Sequence, residues 1–119
     1  MKSILIISHG SRSPKTKEEV HTLVERLKKK CDVDIFEYAF LELEKPSIPE
    51  GIDICVQKGA TEVIVLLNFL NAGRHVDEDI PEIVAGAQAK HPDVKVSITT
   101  PVGQHAGIDE LFLDLINRQ

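Results

Sequence analysis

A chain of 119 residues with 42% hydrophobic side chains is the size of one domain and holds enough apolar material for a real core. A formal charge of −5 excludes a general phosphate-backbone binder, and one Tyr, four Phe and no Trp leave few stacking platforms for single-stranded nucleic acid. No segment reaches the length of a membrane span, so the chain reads as a single cytoplasmic domain over 1–119 with neither nucleic acid nor membrane as a partner.

The first apolar run, SILIIS at 3–8, is too short for a signal-peptide core and ends at His9-Gly10 with no small-residue cleavage pattern. It predicts a buried strand. In SHGSRSP, Gly10 suits a tight turn, and Pro14 stands near the start of a helix over 15–30 with Val20, Leu23, Val24 and Leu27 on one face. Gly10, Ser11 and that helix start could cradle an anion, although no G-x-x-x-x-G-K-[ST] or G-x-G-x-x-G is present. VDIFEYAFL at 33–41 is a second strand, followed by Glu42 and Glu44, which strand alternation puts on the same side.

Ser47-Ile48-Pro49-Glu50 predicts a capped start for a helix over 49–58. EVIVLLNFL at 62–70 is the third strand, and Asp79-Ile80-Pro81-Glu82 repeats the cap pattern before a helix over 80–90. VKVSITT at 94–100 is the fourth strand. Ile108, Leu111, Phe112, Leu115 and Ile116 give a last helix over 108–118 an apolar face. Cys31 and Cys55 form no C-x-x-C pair and read as two small buried thiols.

Strand and helix alternate with short links, which predicts an α/β fold: a four-stranded parallel sheet flanked by helices. Right-handed crossovers favour the flavodoxin-like strand order 2-1-3-4, where ligands bind outside the carboxyl ends of strands one and three. His9 follows the first and His75 follows the third. The connections FLELEKPSIPE and FLNAGRHVDEDIPE have similar ends, but the second is longer by three residues and includes Gly73-Arg74-His75. A capping loop needs no such insertion.

Neutral imidazoles suit Co²⁺, Ni²⁺ and Fe²⁺, whereas Mg²⁺ prefers oxygens. Two histidines with open coordination positions suit a metal held briefly, since structural zinc normally takes four protein ligands. Glu42 could accept a proton or complete the set. Arg12, Lys15, Lys17 and Arg74 could hold carboxylates. Asp77, Glu78 and Asp79 read as acids at a helix N-terminus. His21 reads as exposed, His91 as a complement to a helix C-terminus, and His105 as lying at the ligand-binding end of the sheet. A rival reading makes His9 the phosphoryl acceptor of a histidine phosphoesterase, with Ser8 where an arginine would be expected.

SHGSR, FLELEKPSIPEGI, FLNAGRHVDEDIP and TPVGQHAGIDEL occur in the order in which they resemble the small CbiX-type sirohydrochlorin chelatases, across essentially the whole chain. The resemblance implies insertion of a divalent metal into sirohydrochlorin, a carboxylate-rich tetrapyrrole, with release of two pyrrole protons, in cobalamin or tetrapyrrole biosynthesis. Cobalt is the metal expected, with nickel or iron as alternatives. It is a substrate, so no permanently bound cofactor is expected. The family's metal-site and catalytic histidines carry onto His9 and His75 and its carboxylate onto Glu42. Substrate contacts are expected from Ser8, Gly10, Ser11, Arg12, Gly73 and Arg74. Larger relatives hold two such halves in one chain, so this single half implies a homodimer. The histidine-rich insertion of some archaeal nickel-inserting relatives is missing. A non-catalytic tetrapyrrole or metal carrier would bind the same ligands.

Overall fold

In a computed structural model describing residues 1–119, four parallel strands alternate with helices. The order is β1 (Lys2–Ser8), α1 (Pro14–Lys30), β2 (Ile35–Phe40), α2 (Ile48–Gln57), β3 (Glu62–Leu67), a π-helical turn (His75–Asp79), α3 (Ile80–Gln88), β4 (Lys95–Ile98), a 3₁₀ turn (Val102–Gln104) and α4 (Ile108–Asn117). The strands lie in the order β2-β1-β3-β4, all parallel, as the alternation and right-handed crossovers predict.

Both faces of the sheet are covered, which is why β1 reads as a continuous apolar run. On one face Val20 and Val24 of α1 pack over Ile6, Phe36 and Phe40. On the other, α2 and α3 bring Ile48, Ile52, Ile80 and Val84 onto Leu5, Ile7, Val63 and Val65. Ile52 is fully buried, and its truncation to Ala would cost about 2–5 kcal/mol.

Helix α2 starts as its sequence predicts. Glu50 N–H donates to Ser47 Oγ at 3.3 Å and Ser47 N–H donates to Glu50 Oε1 at 2.9 Å, a reciprocal capping box. These bonds hold the Glu50 carboxyl below its usual range, the Ser47 backbone N–H contributing most.

The same pattern at Asp79 has another outcome. Asp79 is helical (φ −66, ψ −49) and makes no cap bond. The helix instead begins earlier, in a π turn whose closing bond runs from Ile80 N–H to the His75 carbonyl. Pro81 explains the irregularity: it has no N–H to donate, and its ring would crowd a regular helical carbonyl four residues back. The predicted cap is therefore an interior residue.

Three further expectations shift. Cys55 is buried, and burial pushes its thiol up to about 11, but Cys31 is exposed because it caps α1 beyond the last apolar position. Strand β3 ends at Leu67, short of residue 70, and the chain turns so that the Phe69 carbonyl accepts Gly103 N–H at 3.0 Å. Gly103 is required there, since a Cβ would lie 1.8 Å from the Leu70 carbonyl oxygen. Helix α4 forms where predicted but buries none of its residues, leaving Leu111, Phe112, Leu113, Leu115 and Ile116 exposed. No helix is long and apolar enough to cross a membrane.

Candidate metal-chelation site

Hydrogen bonding between β1 and β2 continues past the end of β2. Leu41 N–H donates to the Ser8 carbonyl at 2.9 Å, and Glu42 N–H donates to the His9 carbonyl at 3.0 Å. His9 and Glu42 therefore leave the sheet side by side. The close approach depends on Gly10, whose φ is +102 and where a Cβ would sit 1.8 Å from the Glu42 carbonyl oxygen.

His9 Nε2 lies 3.2 Å from Glu42 Oε1, and His9 Nδ1 lies 3.3 Å from the Gly10 carbonyl oxygen. From the end of β3, the π turn brings in His75, whose ring centroid is 5.5 Å from that of His9 at an interplanar angle of 63°. His75 Nδ1 is 2.8 Å from Asp79 Oδ2. The four side chains are linked by successive contacts, Glu42 to His9, His9 to His75 and His75 to Asp79. His9, Glu42 and His75 are 46%, 51% and 54% exposed, so ligand and water both reach them and their mutual attraction is screened. No group of three or more His, Cys, Asp or Glu closes around a metal position.

The structure separates Glu42 from Glu44. Leu43, at φ +70, breaks the strand alternation, and Glu44 turns back to accept Ser11 N–H at 3.1 Å. Glu44 braces the loop while Glu42 faces the histidines. Ser8 is buried, its hydroxyl accepting from Asn68 Nδ2 at 3.0 Å and tying the ends of β1 and β3 together. Gly10 shapes the loop. Gly73 and Arg74 lie exposed beside His75, with Arg74 Nε 3.5 Å from Glu78 Oε2. Ser11, Arg12 and Lys17 line a different cavity, of about 850 Å³, with His21, Leu43 and Glu44. A smaller cavity of about 240 Å³ is lined by Glu42, His75 and Asp79, and His9 lines another of about 390 Å³.

The remaining histidines lie elsewhere. His21 packs edge-on against Tyr38, His91 pairs with Asp53 at 2.8 Å, and His105 accepts Gly107 N–H at 2.8 Å in the β4–α4 connection. Asp79 is the residue that sequence reasoning misses. Its signal was the i, i+4 spacing from His75, which a cap assignment hides.

The CbiX family model matches residues 3–119. The chain belongs to the CbiX family. Among its relatives is the sirohydrochlorin ferrochelatase of Priestia megaterium, 33% identical over 117 residues, covering 98% of this chain and 44% of that protein. The sirohydrochlorin cobaltochelatase of Methanococcus aeolicus is 37% identical over 84 residues, covering 71% of this chain and 59% of its own length. The crystal structure of the sirohydrochlorin chelatase SirB from Bacillus subtilis subspecies spizizenii in complex with cobalt superimposes with a TM-score of 0.90 at 31% identity, covering 98% of this chain and 50% of SirB. This CbiX chain thus spans about half the length of curated relatives that it matches, and those relatives include both iron and cobalt enzymes.

Proposed function

We propose that this CbiX chain is a sirohydrochlorin chelatase that inserts a divalent metal ion, cobalt foremost, into the tetrapyrrole. The observation behind the proposal is the pair of imidazoles at 5.5 Å with Glu42 at 3.2 Å from one of them, at the carboxyl ends of β1 and β3. A metal ion must lose waters before entering the ring, and imidazole nitrogens replace them without closing the coordination sphere. The two pyrrole protons need acceptors near the ring face, and Glu42 and the imidazoles stand there. Holding metal and macrocycle face to face turns a slow encounter into a positioned step. On this reading the metal is a substrate and no resident cofactor takes part. Nickel and iron are the alternative metals, and cobalamin biosynthesis is the pathway that a cobalt enzyme would serve.

The macrocycle is large and flat, and a cleft of about 240 Å³ does not enclose it. A second copy of the chain supplies the missing wall in our reading, forming a cytoplasmic homodimer. The exposed apolar residues of α4 support it, because a cluster of this kind on one helix exceeds scattered surface apolars. Arg74, exposed beside His75, is the leading cation for the substrate carboxylates.

A histidine phosphoesterase fits less well. Glu42 Oε1 at 3.2 Å from His9 Nε2 would repel a phosphoryl oxygen at the attacking nitrogen. The test is a multiple-turnover assay of sirohydrochlorin with Co²⁺, Ni²⁺ and Fe²⁺ in turn. Turnover fastest with Co²⁺ supports the proposal, and binding without turnover identifies a carrier.

A further inference from the structure

We infer that Asp79 is a positioning residue: its carboxylate holds the His75 ring through Nδ1, so that Nε2 is the nitrogen offered to the incoming metal ion. The inference rests on the chelatase reading and adds to it a residue that touches neither metal nor macrocycle.

Three observations support it. The first is the contact itself, His75 Nδ1 to Asp79 Oδ2 at 2.8 Å. An ionised carboxylate only accepts hydrogen bonds, so Nδ1 must donate, and the neutral ring then has its lone pair on Nε2. The second is that Asp79 has no competing task. Its side chain makes no cap bond, and its backbone is helical. The third is the turn that carries both residues. Ile80 N–H closes onto the His75 carbonyl in a single π turn, the kind of local helix irregularity that recurs at functional sites. Val76 and Ile80 are buried on the inner side of that turn, at 8% and 0% exposure, and fix the backbone from which the pair projects.

His9 is held differently: its carboxylate contact is at Nε2, 3.2 Å from Glu42 Oε1, while its Nδ1 lies 3.3 Å from the Gly10 carbonyl. At His75 the Nδ1 partner is a charged side chain, which orients the ring more firmly than a neutral carbonyl does and makes Nε2 a better donor to a metal.

The test uses Co²⁺ alone, titrated by calorimetry and by its visible absorption, on the wild type and on Asp79→Ala, Asp79→Asn, His75→Ala and Asp77→Ala, with folding checked by circular dichroism. Asp79→Ala should weaken Co²⁺ binding roughly 10–100-fold. Asp79→Asn, whose amide oxygen still accepts from Nδ1–H, should lie nearer the wild type than the alanine variant does. Asp77→Ala, which removes an adjacent acid, should bind like the wild type. Wild-type affinity in Asp79→Ala, or an asparagine variant as weak as the alanine one, overturns the inference while His75 keeps its role. Wild-type affinity in His75→Ala removes His75 from the metal site and overturns the site assignment as well.

Discussion

Glu42 and His9 are joined twice. The Glu42 N–H donates to the His9 carbonyl at 3.0 Å, and the Glu42 carboxylate oxygen lies 3.2 Å from His9 Nε2. The backbone bond fixes their spacing, and the side-chain contact brings the carboxylate onto the imidazole. A metal arriving at Nε2 must either displace the carboxylate or take it as a second ligand.

Glu42→Gln decides which. A carboxylate acting as proton acceptor predicts that the variant slows turnover yet keeps Co²⁺ affinity, since the amide cannot take a pyrrole proton. Loss of Co²⁺ affinity, measured by calorimetry without tetrapyrrole, would show that Glu42 is a ligand.

Gly10→Ala should separate this pair. The added Cβ meets the Glu42 carbonyl oxygen at 1.8 Å, and the residue must hold a φ of +102. The strain predicts a stability loss of roughly 1–3 kcal/mol in urea denaturation. Insertion activity should fall further than that loss explains, because His9 and Glu42 move apart. An alanine variant with wild-type stability and turnover would show that the loop is not held this way.

Helix α4 offers a prediction about assembly. Light scattering should find the protein as a dimer, and Phe112→Glu, which puts a charge in the middle of the exposed apolar set, should shift it toward monomer and lower turnover. A monomeric wild type with full turnover removes the second copy from the account.

The thiols should differ in reactivity. Exposed Cys31 should label rapidly under native conditions, and buried Cys55 only after unfolding. Burial raises the Cys55 thiol to about 11, so its contribution to stability is complete below the unfolded thiol's range near ~8.5 and is lost as pH rises toward about 11. Lys58, raised by its hydrogen bond to Glu37, acts in the same direction. The urea midpoint should therefore decline on the alkaline side, and a flat midpoint with both thiols labelling natively would contradict it.

The sheet order was legible because continuous Ile and Val runs alternate with amphipathic helices, and right-handed crossovers leave few arrangements. His9 and His75 were legible for the same reason: topology brings the ends of β1 and β3 together. Glu42 and Glu44 could not be told apart, because alternation fails once Leu43 takes a positive φ, which is a property of the turn and not of the strand. Asp79 was hidden by its likeness to Ser47. Both precede Ile-Pro-Glu, but only Ser47 caps a helix. At Asp79 the helix runs on toward its N-terminus through the π turn, and the carboxylate turns to His75. The open face of α4 was invisible, since an apolar stripe predicts burial without saying against what.

In the proposed chelatase His9 and His75 handle the metal together, and the decisive measurement is the insertion rate of Co²⁺ into sirohydrochlorin over many turnovers. His9→Ala and His75→Ala should each lose most of the rate, and the double variant should be little worse than either, because groups acting as one unit are not additive. Both residues are exposed at strand ends, so stability should change by no more than about 0.5 kcal/mol. Rapid turnover by the wild type and near-background rates in folded histidine variants is the predicted result. Wild-type rates in either variant, with an unchanged circular dichroism spectrum, would contradict the account.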